Sequence, residues 1–94
     1  MAVTQIDDYE VMYSSNTFSP RIWLKHQGRY IGQLVFEPNG ASLPADTQDS
    51  LYYHLDDFHN VLDLLRNEKP MYRLFSGAEN GVKTTAEPIG EGEA

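Results

Sequence analysis

Cysteine is absent from this 94-residue chain. Its absence excludes a disulfide framework, thiol catalysis and thiolate metal ligation. Long apolar runs are absent too, and none approaches the roughly 20 residues of a membrane-spanning helix. The opening Met1-Ala2-Val3-Thr4-Gln5-Ile6-Asp7-Asp8 lacks the basic and hydrophobic regions of a secretory leader, so the expected address is the cytoplasm. Positive charge is scarce. Seven Lys and Arg face 14 Asp and Glu, a formal net charge of −7. Such a chain stays in solution and repels polyanions at long range. Phosphate-binding glycine patterns are missing as well. There is no Walker sequence and no dinucleotide fingerprint, and the one Gly-x-Gly, Gly90-Glu91-Gly92, lies among glutamates. No Gly-x-Ser-x-Gly elbow presents a serine nucleophile. No cofactor and no metal are expected.

What the chain does have is one amphipathic helix set among strand-like segments. In the stretch from Asp57 to Glu68, Phe58, Val61, Leu62 and Leu65 recur at i, i+3, i+4 and i+7 and form one apolar stripe. Asp56 or Asp57 is expected to cap its start, and Pro70 to stop the chain from continuing it. One stripe needs one apolar surface, which the strands supply. Residues 9–13 and 71–75 are rich in strand formers, and residues 51–54 read as a short strand leading into the helix. Asn80-Gly81 is a turn signal followed by a strand over 82–86. Gln27-Gly28 separates Arg21-Ile22-Trp23-Leu24-Lys25-His26 from Arg29-Tyr30-Ile31-Gly32-Gln33-Leu34-Val35-Phe36-Glu37, which reads as a hairpin. Residues 38–46 carry dense turn chemistry and are expected to form a mobile loop. The predicted class is α+β: a mainly antiparallel sheet of about five strands with one helix on one face, in the order β-β-β-(β)-α-β-β. Residues 1–89 form one domain of this kind, and residues 90–94 an acidic, flexible tail.

A simple two-residue hairpin places Leu24 opposite Ile31 and Trp23 opposite Gly32. Ile22, Leu24, Ile31 and Val35 then share one face, suited to the helix. Arg21, Trp23, Lys25, Tyr30, Leu34 and Phe36 share the other. Aromatics interleaved with cations on a sheet can stack single-stranded bases. Arg21, Trp23, Lys25, Tyr30 and Phe36 are therefore the candidate binding residues. The competing reading buries these aromatics against a loop, the first strand or a second copy, because so much exposed apolar area is unusual. The acidity of the chain also opposes a nucleic-acid surface.

Catalytic candidates are sparse. His26, His54 and His59 match no metal-ligand spacing. The pairs Asp7-Asp8 and Asp56-Asp57 are explained by a terminus and a helix start, with no sign of the burial that a general acid requires.

The segment from His54 through Leu65, the run Lys69-Pro70-Met71-Tyr72-Arg73-Leu74-Phe75 and the ending Glu87-Pro88-Ile89-Gly90-Glu91-Gly92-Glu93 resemble a family of small bacterial proteins. The resemblance covers roughly the second half of the chain. That family carries no assigned activity, so the resemblance implies no site residues. Three functions stay open. The first is a non-enzymatic binding or protein-interaction domain, which could self-associate through its sheet. The second is a single-stranded nucleic-acid binder. The third is a small hydrolase with His54 or His59 near Asp57.

Overall fold

The structure, a computed structural model, describes residues 2–85. It is an α+β fold of seven strands and one helix. The strands fall into two sheets rather than one. β2 (Asp8–Met12), β3 (Arg21–His26), β4 (Arg29–Glu37) and β5 (Ser50–His54) form a sheet in that order. β1 (Ala2–Ile6), β6 (Met71–Phe75) and β7 (Asn80–Thr84) form the other, in the order β1-β6-β7. The helix α1 spans Phe58–Asn67 after a 3-10 turn at Leu55–Asp57.

β1 was not expected as a strand. Its Val3, Thr4 and Ile6 suit one, but its partner β6 lies at the far end of the sequence. The chain passes from β1 to β2 through Asp7 alone. The Asp7 amide donates to the Lys25 carbonyl at 3.0 Å, and its carboxylate accepts the Gln27 amide at 2.9 and 3.1 Å. Gln27 needs that support. It sits at φ 51°, with Gly28 at φ 79°, the pair of positive values that a tight hairpin requires and a glutamine disfavours.

The hairpin forms where expected, but its register does not. Lys25 pairs with Tyr30, yet Leu24 pairs with Gly32 and Trp23 with Gln33. Ile31 is the extra residue of a β-bulge. The shift corrects the expected faces. Ile22, Leu24, Leu34 and Phe36 all belong to the buried core, while Val35 turns to the opposite face, opposite Arg21. Phe36 is therefore not a candidate binding residue: it is 0% exposed and stacks on Tyr53 and edge-on against Phe58.

β5 runs parallel to β4, while the other strand pairs among the described residues are antiparallel, so the pairing is mainly antiparallel as expected. Residues 38–49 make the crossover without a helix, and hydrogen bonds hold them in place. Asn39 and Asp56 bond reciprocally at 2.8 and 2.9 Å, the His54 Nε2 donates to the Ala41 carbonyl at 2.8 Å, and the Tyr52 amide donates to Asp46 at 2.8 Å. A loop expected to be mobile is thus tied to the strand and helix that follow it. The same network engages Asp56, and neither it nor Asp57 makes a side-chain cap on α1. The 3-10 turn serves instead: the Phe58 amide donates to the Leu55 carbonyl.

The β6–β7 turn also moves from its expected position. Asn80 and Gly81 open β7, and the reversal lies at residues 76–79. The Asn80 carboxamide oxygen accepts the Ser76 and Gly77 amides at 3.0 and 2.9 Å, so asparagine fixes the turn from the strand rather than from within it. The acidic ending at 90–94 lies outside the described residues.

The helix stripe meets the core as its spacing dictates. Phe58, Val61, Leu62 and Leu65 are buried with Ile22, Leu24, Leu34, Phe36 and Leu51 of the larger sheet and with Ile6 and Met71 of the smaller one. Leu62→Ala should cost about 2–5 kcal/mol in urea unfolding. Asn67→Ala, at an exposed position, should cost well under half of that. Equal losses would mean that the other face of α1 is buried.

Candidate functional site

Arg21, Trp23 and Lys25 lie on the outer face of β3, and Tyr30 on β4 pairs with Lys25. Four of the five candidate residues are therefore brought to one face, and Phe36 is not. Tyr30 is half exposed, while Trp23 is partly covered. The two cations are already engaged. The Lys25 Nζ lies 3.0 Å from a Glu10 carboxylate oxygen. The Arg21 Nε donates to the Ser19 carbonyl at 3.1 Å, and its guanidinium sits 4.2 Å from the centre of the Phe18 ring. A phosphate approaching Lys25 would meet the Glu10 carboxylate beside it.

A polar seam begins at Tyr30 and runs inward. The Tyr30 hydroxyl donates to Asp49 Oδ1 at 2.9 Å, and the Ser50 hydroxyl donates to Asp49 Oδ2 at 2.9 Å. Gln33 Nε2 donates in turn to Ser50 Oγ at 2.9 Å. The bulge and the start of β5 put these groups together. Beneath them lies Arg73, the central residue of β6, only 3% exposed. Its guanidinium reaches Gly32, where an added Cβ would stand 2.8 Å from Nε. Gly32 also has φ 149°, which disfavours any other residue. Arg73 Nε and Nη2 are buried and have no hydrogen-bond partner among the described residues. Burial pulls the guanidinium below its ordinary pKa, and the charge of Asp49 and the Tyr30 hydroxyl partly offset that.

Arg73 was missed by sequence reasoning although a signal was present. It alternates with Met71 and Phe75 in a five-residue strand, so a charge stands at the centre of an otherwise apolar face. Asp49, Ser50 and Gln33 gave no comparable signal, because their convergence depends on a parallel pairing.

The histidines are dispersed. His54 is bound to the Ala41 carbonyl, and His59 is exposed on α1 edge-on to Phe58. The His26 Nδ1 lies 3.3 Å from the Asp7 carboxylate without hydrogen-bond geometry. A cleft of about 350 Å³ opens between residues 5–9, at the β1–β2 passage, and residues 65–71, where α1 gives way to β6. Ile6, Leu65 and Met71 supply its apolar parts, and Asp7, Asp8, Arg66 and Lys69 its charges. His54, His59 and Asp57 stand elsewhere. Comparison of the chain with protein-family models, with curated proteins and with solved structures found no match.

Two tyrosines report on this packing. Burial first, then the hydrogen bond and charge of Asp49, push Tyr30 up to about 12. Burial first, then Asp46 and Asp57, push Tyr53 up to about 12. A raised phenol pKa stabilises the fold at pH values below the unfolded tyrosine value near 10, and that stability is lost as pH rises toward 12. Spectrophotometric titration at the phenolate band should show late steps belonging to Tyr30 and Tyr53. Tyr30→Phe and Tyr53→Phe should each remove one late step. A titration in which neither substitution removes a late step would contradict the burial of the two phenols and the Tyr30–Asp49 bond.

Proposed function

We propose that the chain is a non-enzymatic protein-interaction domain that takes an extended segment of a partner along β2. The observation behind this reading is the inequality of the two edges of the larger sheet. The β5 edge is sealed: the Tyr52 amide donates to Asp46 at 2.8 Å, and the Thr47 amide donates to the Ser50 carbonyl at 2.8 Å. Along β2, the bonds among the described residues go to β3, apart from one local bond from the Tyr9 amide to the Asp8 carboxylate. An edge left in this state is a template for strand addition.

Two further observations support the same edge. Val11 and Tyr13 are exposed at its far end, at 43% and 62%. At its near end, Asp8 and Tyr9 line the 350 Å³ cleft, so an added strand would run from an apolar patch into a cleft. Asp7, Asp8 and Glu10 give this edge an acidic character, and the chain as a whole is acidic. The segment that fits is one alternating apolar residues with Lys or Arg.

A fluorescent peptide of alternating valine and lysine tests the reading. Its anisotropy should rise saturably with protein concentration. The binding should weaken with salt and disappear in Val11→Lys, which places a charge on the edge while the circular dichroism stays native. Equal binding by Val11→Lys, or no saturable binding by the native chain, would contradict it.

A further inference from the structure

We infer that the cleft at the start of β2 receives the C-terminus of the partner segment, an apolar last residue with its free carboxylate. The inference rests on the strand addition proposed above, and it fixes which way the segment runs and where it ends.

The direction follows from the lane along β2. β1 leads into β2 through Asp7 alone and the two do not pair with each other, so the chain carries on rather than turning back. β2 bonds to β3, and β1 to β6. Ile6 pairs with Met71, and residues 65–71 face Asp8 and Tyr9 across the cleft. A segment that reaches Asp8 meets the approach to β6 and ends there. An antiparallel segment, the better-bonded arrangement and the one β2 already makes with β3, arrives at Asp8 with its C-terminus. β6 is antiparallel to β1 as well, so the segment and β6 follow one another head to tail.

The chemistry of the cleft matches that end. Its volume of about 350 Å³ lies at the lower end of the roughly 300–1,000 Å³ of ligand sites, which suits one terminal residue. Ile6, Leu65 and Met71, all buried, give that residue an apolar surface. The acids on the β2 side are already engaged: the Asp7 carboxylate accepts the Gln27 amide, and Asp8 Oδ1 accepts the Tyr9 amide. Arg66 and Lys69 on the opposite wall make no ion pair among the described residues. Two uncommitted cations suit a terminal carboxylate. Glu68, which also lines the cleft, and the negative end of α1 oppose an anion there, and they limit the preference to about tenfold.

Two peptides of alternating lysine and valine, each ending in valine and labelled with a fluorophore on the N-terminal amine, test the inference on the full chain. One carries a free C-terminal carboxylate, the other a C-terminal amide. In anisotropy titrations the acid should bind about tenfold more tightly than the amide. Simple attraction to a chain of net charge −7 gives the opposite order, because the amide is the more positive peptide. In a chain carrying Arg66→Gln and Lys69→Gln, both at exposed positions, the acid should lose its advantage. An amide that binds as tightly as the acid, or more tightly, overturns the inference and leaves strand addition standing. An advantage of the acid that survives in the double variant also overturns it, since the carboxylate then lies elsewhere. Saturable binding by neither peptide overturns both readings.

Discussion

One extra residue in β4 governs this structure. With Ile31 accommodated as a bulge, Leu34 and Phe36 join Ile22 and Leu24 on the face that α1 covers. Without it, a strand alternates strictly, and a slip of one position would send Leu34 and Phe36 to the outer face. The bulge also sets Gly32 opposite Leu24 on the inner face, where Arg73 of the other sheet approaches it. The core and the polar seam thus share one cause. Phe36 touches both the helix, through Phe58, and the crossover strand, through Tyr53, so the register of one hairpin carries into every layer.

The second constraint is the parallel β4–β5 pair. A parallel connection has to cross the sheet, and a helix usually does so. Here residues 38–49 cross without one, and their polar groups bond to what they pass. Asp46 shows the economy of this. One of its oxygens accepts the Tyr52 amide on the β5 edge, and the other accepts the Asn80 carboxamide at the start of β7. A single carboxylate therefore closes one sheet edge and links it to the other sheet. The β2 edge has no such device among the described residues, and the proposed strand addition rests on that asymmetry.

Legibility in the sequence follows the range of the forces involved. The helix was readable because its stripe is a local period, and the β3–β4 turn because Gly28 marks it. The faces of the hairpin were readable only in part. Gln33 and Glu37 alternate with Val35, which marks that side of β4 as the outer one, but two-residue turn arithmetic overrode the pattern. β1 escaped notice because its pairing with β6 spans most of the chain. Capping by Asp56 was a sound local expectation that a distant residue, Asn39, displaced. At the candidate site, Tyr30 was legible from the hairpin. Its partner Asp49 was not, since nothing near residue 49 announces a parallel strand.

The bulge is the claim on which the rest depends, and cross-strand nuclear Overhauser contacts between β3 and β4 test it most directly. The bulged register predicts contacts pairing Leu24 with Gly32 and Trp23 with Gln33, with Lys25 paired to Tyr30 and Ile31 left without a partner. Contacts pairing Leu24 with Ile31 and Trp23 with Gly32 would show an unbroken ladder. Leu34 and Phe36 would then face outward, and both the core and the Arg73 seam described here would be wrong.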